Sequence, residues 1–258
     1  MRRLLYLSCV LALTLVSSAQ ADLKITAQVT GSGMASAGDG ETVTYIQGMK
    51  LRTDHRQGNK VMSTLLDLDK RQMVVLDSKK KRADVFDLRQ LSQQQEAISD
   101  QDVKVSVEPT GESRQILGYD CDVHQMSIRV TAAASDQPMS LDVVVEGPVR
   151  LAPDAPGREE YLAFYEAMAD RGMFLGDPRA AEQQPGREKG MSALYKSMAG
   201  KGVGLHSEIG VRFDGSGMMA RMMKRLGFTM TTTATEISTD SLSADIFTIP
   251  SGYKTRQQ

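Results

Sequence analysis

Tryptophan is absent, and six Phe and seven Tyr bring the aromatic fraction to only 5%. A core without large rings must be built from aliphatic side chains and methionine. Cysteine is scarce as well: only Cys9 and Cys121 occur. Cys9 lies inside an N-terminal apolar run, so export with cleavage of that run leaves one thiol and no intramolecular disulfide. The three histidines, His55, His124 and His206, are far apart and none falls in a paired metal-binding spacing. No Gly-x-Ser-x-Gly elbow is found. Gly200-Lys201-Gly202-Val203-Gly204 follows a helical pattern and precedes a strand, the reverse of the order that aims helix amides at a phosphate. Asp67-x-Asp69, Asp100-x-Asp102 and Asp120-x-Asp122 lack the rest of a calcium loop. Beyond residue 21 no apolar stretch approaches the roughly 20 residues of a membrane-spanning helix.

Charge of one sign is missing too. The chain of 258 residues carries 31 basic and 32 acidic residues. Near neutrality excludes the broad basic footprint of a nucleic-acid binder. With no nucleophile–base pair, metal spacing or phosphate loop, the expectation is a protein that is not an enzyme and needs no cofactor.

What is present begins with a secretory pattern. Arg2 and Arg3 precede an apolar run over Leu4–Val16, and Ser17-Ser18-Ala19-Gln20-Ala21 ends in a small-x-small cleavage signature. This predicts a signal peptide over residues 1–21, cut after Ala21, and a periplasmic location. Residues 22–258 are expected to form one domain.

Alternation of apolar and polar residues dominates its first half. Leu23, Ile25, Ala27 and Val29 share one face of a first strand. Short strands follow at Thr42–Gln47, Met49–Thr53, Val61–Leu68, Arg71–Leu76 and Arg82–Leu88, an antiparallel meander. Leu91–Asp102 is polar and unpatterned. Val103, Val105 and Val107 alternate again, Gln115–Val130 reads as a two-part strand around Gly118, and Met139–Glu146 as a further strand. The period then changes to that of a helix. Tyr161, Leu162, Phe164, Tyr165 and Met168 fall on one helical face before Gly172; Met191, Leu194, Tyr195 and Met198 do so before Gly200. These helices form an insertion at about 156–203. Strands are expected to resume at Leu205–Asp214, Phe228–Ile237 and Ser243–Ile249. The fold class is therefore mainly β with helices (α+β).

Three segments carry a resemblance: Gly48-Met49-Lys50-Leu51-Arg52-Thr53-Asp54, Ile116-Leu117-Gly118-Tyr119-Asp120-Cys121, and Ile246-Phe247-Thr248-Ile249-Pro250-Ser251-Gly252-Tyr253. They resemble an uncharacterised bacterial family, the domain of unknown function number forty-four-twelve, which looks related to the periplasmic lipoprotein-carrier (LolA/LolB-like) fold. The resemblance covers most of residues 22–253. Its family-motif residues are Arg52, Gly118, Tyr119, Cys121, Phe247, Pro250, Gly252 and Tyr253. It implies a strongly curved antiparallel sheet, an unclosed half-barrel, with helices on the concave face.

The expected function is binding or carriage of an apolar ligand: a lipid, an acyl chain or an acylated polypeptide. Fifteen of the 16 Met follow residue 21, and Met suits walls that adapt to variable apolar shapes. Tyr161, Tyr165, Met168, Met191, Leu194, Tyr195 and Met198 are the candidate lid residues. The expected partners are a lipid or lipoprotein, with transient contact to a membrane surface for which Lys79-Lys80-Lys81-Arg82 is the basic candidate. An envelope scaffold or sensor that binds a protein partner is the alternative. Cu(I) binding by Met218, Met219, Met222 and Met223 is a minor one, opposed by Arg221, Lys224 and Arg225; an apolar strip facing cavity or core is the expectation there. Cys121, flanked by Asp120 and Asp122, is expected to be a buried structural thiol.

Overall fold

The computed structural model describes residues 22–32, 38–89, 103–133, 140–173, 185–216 and 221–258. The signal-peptide pattern, the polar stretch around Leu91–Asp102, and Met218 and Met219 lie outside these residues.

The described residues form one sheet of twelve strands, in the order β12-β6-β5-β4-β3-β2-β1-β11-β10-β9-β8-β7. The first six strands, β1 (Leu23–Ser32), β2 (Gly40–Gln47), β3 (Lys50–Gln57), β4 (Lys60–Asp67), β5 (Gln72–Asp77) and β6 (Arg82–Asp87), are a simple meander. Then come β7 (Val103–Ile116), β8 (Tyr119–Ala133) and β9 (Ser140–Ala152), two helices, α1 (Arg158–Asp170) and α2 (Pro185–Ala199), and finally β10 (Val203–Gly215), β11 (Phe228–Ser238) and β12 (Lys254–Gln257). Every pairing is antiparallel except β12 with β6.

The two parts expected around Gly118 are the end of β7 and β8: Leu117 and Gly118 turn one back on the other, both with positive φ (54° and 83°), as a tight two-residue hairpin requires. Two expectations are corrected. The strand from Met139 does not stop at Glu146 but runs on to Ala152. Gly147-Pro148 reads as a stop, yet Gly147 takes a φ of 154° and lets β9 pass directly under the Glu208 carbonyl of β10. Ser243–Ile249 is not a strand: Ala244–Phe247 forms a 3-10 turn, and the last strand is the short parallel β12.

The helices fall where the 3.6-residue period places them. Gly172, at φ 65°, ends α1, with the Met173 amide donating to Met168 O. α1 contacts β2 and β10, while α2 contacts β7, β8 and α1. Both therefore pack on one face of the sheet. Phe164, Tyr165 and Met168 of α1 share a core with Leu23, Leu51, Met73, Phe86, Cys121 and Leu205. Leu194 of α2 shares a second with Val107, Met126, Ile128 and Val149. On the opposite face a third cluster joins Leu65, Val74, Leu76, Ala83 and Val85 to Ile249 and Tyr253 of the C-terminal segment.

Candidate functional site

The helical face of the sheet is not completely filled. Between it and the helices lies a cleft of about 220 Å³. Its floor comes from β1, β2, β10 and β11. Strand alternation puts Ile25 and Ala27 of β1 beside Thr44 and Thr42 of β2, and Ala27 directly opposite Ala234 of β11. Ala27 and Ala234 are both buried. Two adjacent methyl side chains, where neighbouring positions carry Ile, Leu and Val, leave the space. Val149 and Leu151 of β9 and Leu205 of β10 complete the apolar part, and Thr42, Thr44, Ser207 and Thr232 add hydroxyls. No Asp, Glu, Lys or Arg lines the cleft.

Three of the seven candidate lid residues form its roof: Tyr161 and Tyr165 of α1 and Met198 of α2. The phenols of Tyr161 and Tyr165 are hydrogen-bonded to each other, and that of Tyr161 also to the Gly204 backbone. Burial pushes both phenols upward, Tyr165 well above the usual tyrosine value, so both stay neutral. The rings stack in sequence, Tyr161 to Tyr165 with centroids 4.5 Å apart and Tyr165 to Tyr195 with 5.3 Å. The other four candidates do not reach the cleft lining. Met168 is fully buried in the first core, Tyr195 packs against it, and Met191 and Leu194 belong to the second. The floor was the part the periodicity did not single out. The available signal was the pair of small residues, Ala27 and Ala234, at positions whose strand neighbours are large.

The histidines stay apart. His55 Nδ1 lies 3.2 Å from Thr42 Oγ1, His124 Nδ1 lies 3.4 Å from Asp122 O, and His206 sits between Thr233 Oγ1 and Glu208 Oε1, each at 2.9 Å. The His206 hydrogen bond, aided by Arg150, holds the Glu208 carboxyl below its ordinary value. Among the described residues no group of three or more His, Cys, Asp or Glu is placed to hold a metal. Met222 is 61% exposed and Leu226 38%, which corrects the expectation that this apolar strip faces cavity or core. Cys121 is fully buried, and burial raises its thiol above the usual value.

The motif residues gather elsewhere. Arg52 donates from Nε to Asp54 Oδ1 at 2.7 Å and from Nη1 to Ile246 O at 2.8 Å, pinning the 3-10 turn against the sheet. From there Phe247, Pro250, Gly252 and Tyr253 carry the chain across the face opposite the helices. Tyr253 packs on the third cluster with the Lys81 ammonium 5.1 Å above its ring. Gly118 makes the β7–β8 hairpin, and Tyr119 and Cys121 follow it into the first core. Arg52, Gly118, Tyr119 and Cys121 all precede the helices, and the sequence around them has a recognised counterpart. Residues 30–144 match the model of a family described as a domain of unknown function (DUF4412). The DUF4412 match takes in the end of β1, all of β2 to β8 and the start of β9. It stops short of both helices and of the Phe247–Tyr253 segment, so it is narrower than the resemblance over residues 22–253. No curated protein shows significant sequence similarity to this chain. Among solved structures, that of PNGF-II is similar over 92% of this chain and 32% of its own, with 9% identity and a TM-score of 0.37. This chain thus spans about a third of that one.

Proposed function

We propose that this protein is an exported binding or carrier module that shelters one acyl chain, of a lipid or of an acylated polypeptide, in the cleft under Tyr161, Tyr165 and Met198. The observation that carries this reading is the cleft of about 220 Å³, lined mainly by apolar side chains with His206 and four Ser and Thr hydroxyls and with no Asp, Glu, Lys or Arg. It exceeds the roughly 150 Å³ that admits a benzene ring and is smaller than the roughly 300–1,000 Å³ of drug-sized sites. A short acyl segment fits within it, and a whole multi-chain lipid does not.

The half-barrel geometry belongs to the same proposal. A flat sheet would hold β5 and β8 about 38 Å apart, yet Met73 of β5 and Cys121 of β8 belong to one core with Phe164 and Met168. This supports a sheet that curls round α1, so that the helices cover its concave side. Such a shape agrees with the lipoprotein-carrier-like fold that the motifs suggest. The start of the fold supports export with cleavage after Ala21. β1 starts at fully buried Leu23, and Asp22 is held by the amides of Gln47 and Leu242, so a chain starting at Asp22 begins already docked. Reversible loading needs only Met198 and the tyrosine pair to shift, and methionine repacks at little cost. No catalytic step is part of this reading.

Native mass spectrometry of protein purified from the periplasm tests it. A bound acyl-containing mass is expected, lost in Ala27→Leu, where the added side chain fills the floor. A wild type that binds no long-chain probe, with Ala27→Leu indistinguishable from it, overturns the reading. The scaffold alternative has one observation in its favour: among the described residues, β7 at the sheet edge pairs only with β8, leaving its outer rim to a partner's strand. A stable protein complex without lipid in the same experiment selects it.

A further inference from the structure

The connection between β10 and β11 concentrates apolar side chains at the surface. Among the described residues four large hydrophobic side chains are exposed, and three of them, Met222, Leu226 and Met230, fall within nine residues. Met222 and Leu226 are four apart on a helical turn that continues into a 3-10 turn at Lys224–Leu226. Arg221, Lys224 and Arg225 are interleaved with them and are likewise exposed. From Gly215 to Thr235 the sequence has no Asp or Glu. In a chain whose net charge is −1, three exposed cations thus stand together with no acidic residue between Asp214 and Glu236 in sequence, and apolar side chains lie among them.

Clustered exposed apolar side chains mark an interaction site, and the charge selects the partner. A basic partner is repelled. A polyanion such as nucleic acid would satisfy the cations but leave Met222 and Leu226 in water, and the patch offers no exposed aromatic ring on which a base could stack. An anionic lipid surface satisfies both, because phosphates meet the cations while short apolar side chains enter the acyl boundary. We propose that the turn at Arg221–Leu226 docks this protein onto an anionic membrane surface, with Arg221, Lys224 and Arg225 on head-group phosphates and Met222 and Leu226 inserted beside them. This rests on the turn alone and is independent of what the cleft binds.

The test is co-sedimentation of the mature protein with vesicles of phosphatidylcholine alone or with about 30% phosphatidylglycerol. Binding is expected to be at least about tenfold stronger to the anionic vesicles and to weaken from about 0.05 to 0.5 M salt. Each cation near such a surface is worth roughly a factor of five, so Arg221→Gln/Lys224→Gln/Arg225→Gln is expected to lose about a hundredfold. Met222→Ser/Leu226→Ser keeps the charge and is expected to lose about tenfold. These side chains are exposed, so both variants should melt like the wild type. A polarity-sensitive dye on Leu226→Cys, with Cys121 buried and silent, should shift to the blue on anionic vesicles only. Equal binding to both vesicle types, undiminished binding of the triple variant, or a dye that does not respond overturns the proposal. So does DNA binding at the vesicle affinity that ignores Met222→Ser/Leu226→Ser.

Discussion

Single side chains settle the turns of this sheet. Asp77 Oδ1 accepts from the amides of Lys79 and Lys80, each at 3.0 Å, and so closes the β5–β6 hairpin. The Lys80 amide is the main reason its carboxyl lies below the usual aspartate range. A lowered native value means the unfolded chain binds the proton more readily. The stabilisation is therefore complete above the unfolded value near pH 4 and is lost as pH falls through the native one. Asp77→Asn is expected to cost about 1 kcal/mol at pH 7. It should also flatten the acid limb of the stability profile, measured by urea denaturation from about pH 7 to pH 3. A steeper acid limb in the variant would contradict the assignment. Leu117 makes the opposite case: it is 41% exposed and holds a φ of 54° that leucine disfavours. Leu117→Asn should raise stability by about 1 kcal/mol, read from the same denaturation curves. At this scale the sequence was informative about Cys121, whose acidic neighbours and burial agree. It marked Arg52 as a motif residue but not its partner, because nothing local announces that a guanidinium will bond a carbonyl 194 positions away.

At the scale of elements, periodicity identified β1 to β4 and both helices because each turns one face to the core, while β5 and β6, buried on both faces, read as short runs bounded by turn residues. It failed where neither condition holds. β12 is exposed at all four positions and has no alternation to read. Leu242-Ser243-Ala244-Asp245-Ile246 does alternate, but the apolar residues serve a turn held by Arg52. The lid showed the same limit. A helical face lists what points inward, but only the sheet opposite decides which of those residues meets a hollow and which meets a neighbour. Tyr161, Tyr165 and Met198 border the cleft together with Ala27 and Ala234, whereas Met168 and Leu194 are packed into the first and second cores. Two changes probe the elements directly. Gly147→Ala would drive a Cβ into the Glu208 carbonyl, so a loss above about 2 kcal/mol is expected, with the β9–β10 amides losing hydrogen-exchange protection. Arg52→Met leaves Asp54, only 8% exposed at its side chain, without its cation. The expected cost is about 3 kcal/mol, together with faster proteolysis after Lys254 as the C-terminal segment lifts. Unchanged cleavage there would mean that Tyr253 and β12 hold the segment by themselves.

The whole molecule is one sheet whose two parts meet at β1 and β11. Leu23–Ser32 lies beside Phe228–Ser238, so partners in the middle of the sheet are about two hundred residues apart, as in Lys24 with Glu236. Loss of β1–β11 order should therefore be global, and an Ile25→Asp variant is expected to abolish folding of both parts rather than fray one end, which circular dichroism and hydrogen exchange would distinguish. The same seam bears on biogenesis. Until residue 238 has emerged, β1 and β10 each present an open edge with no mate. If the chain is exported amino end first, as proposed, the fold would stay unfinished until Phe228–Ser238 arrives and zips β1 to β10.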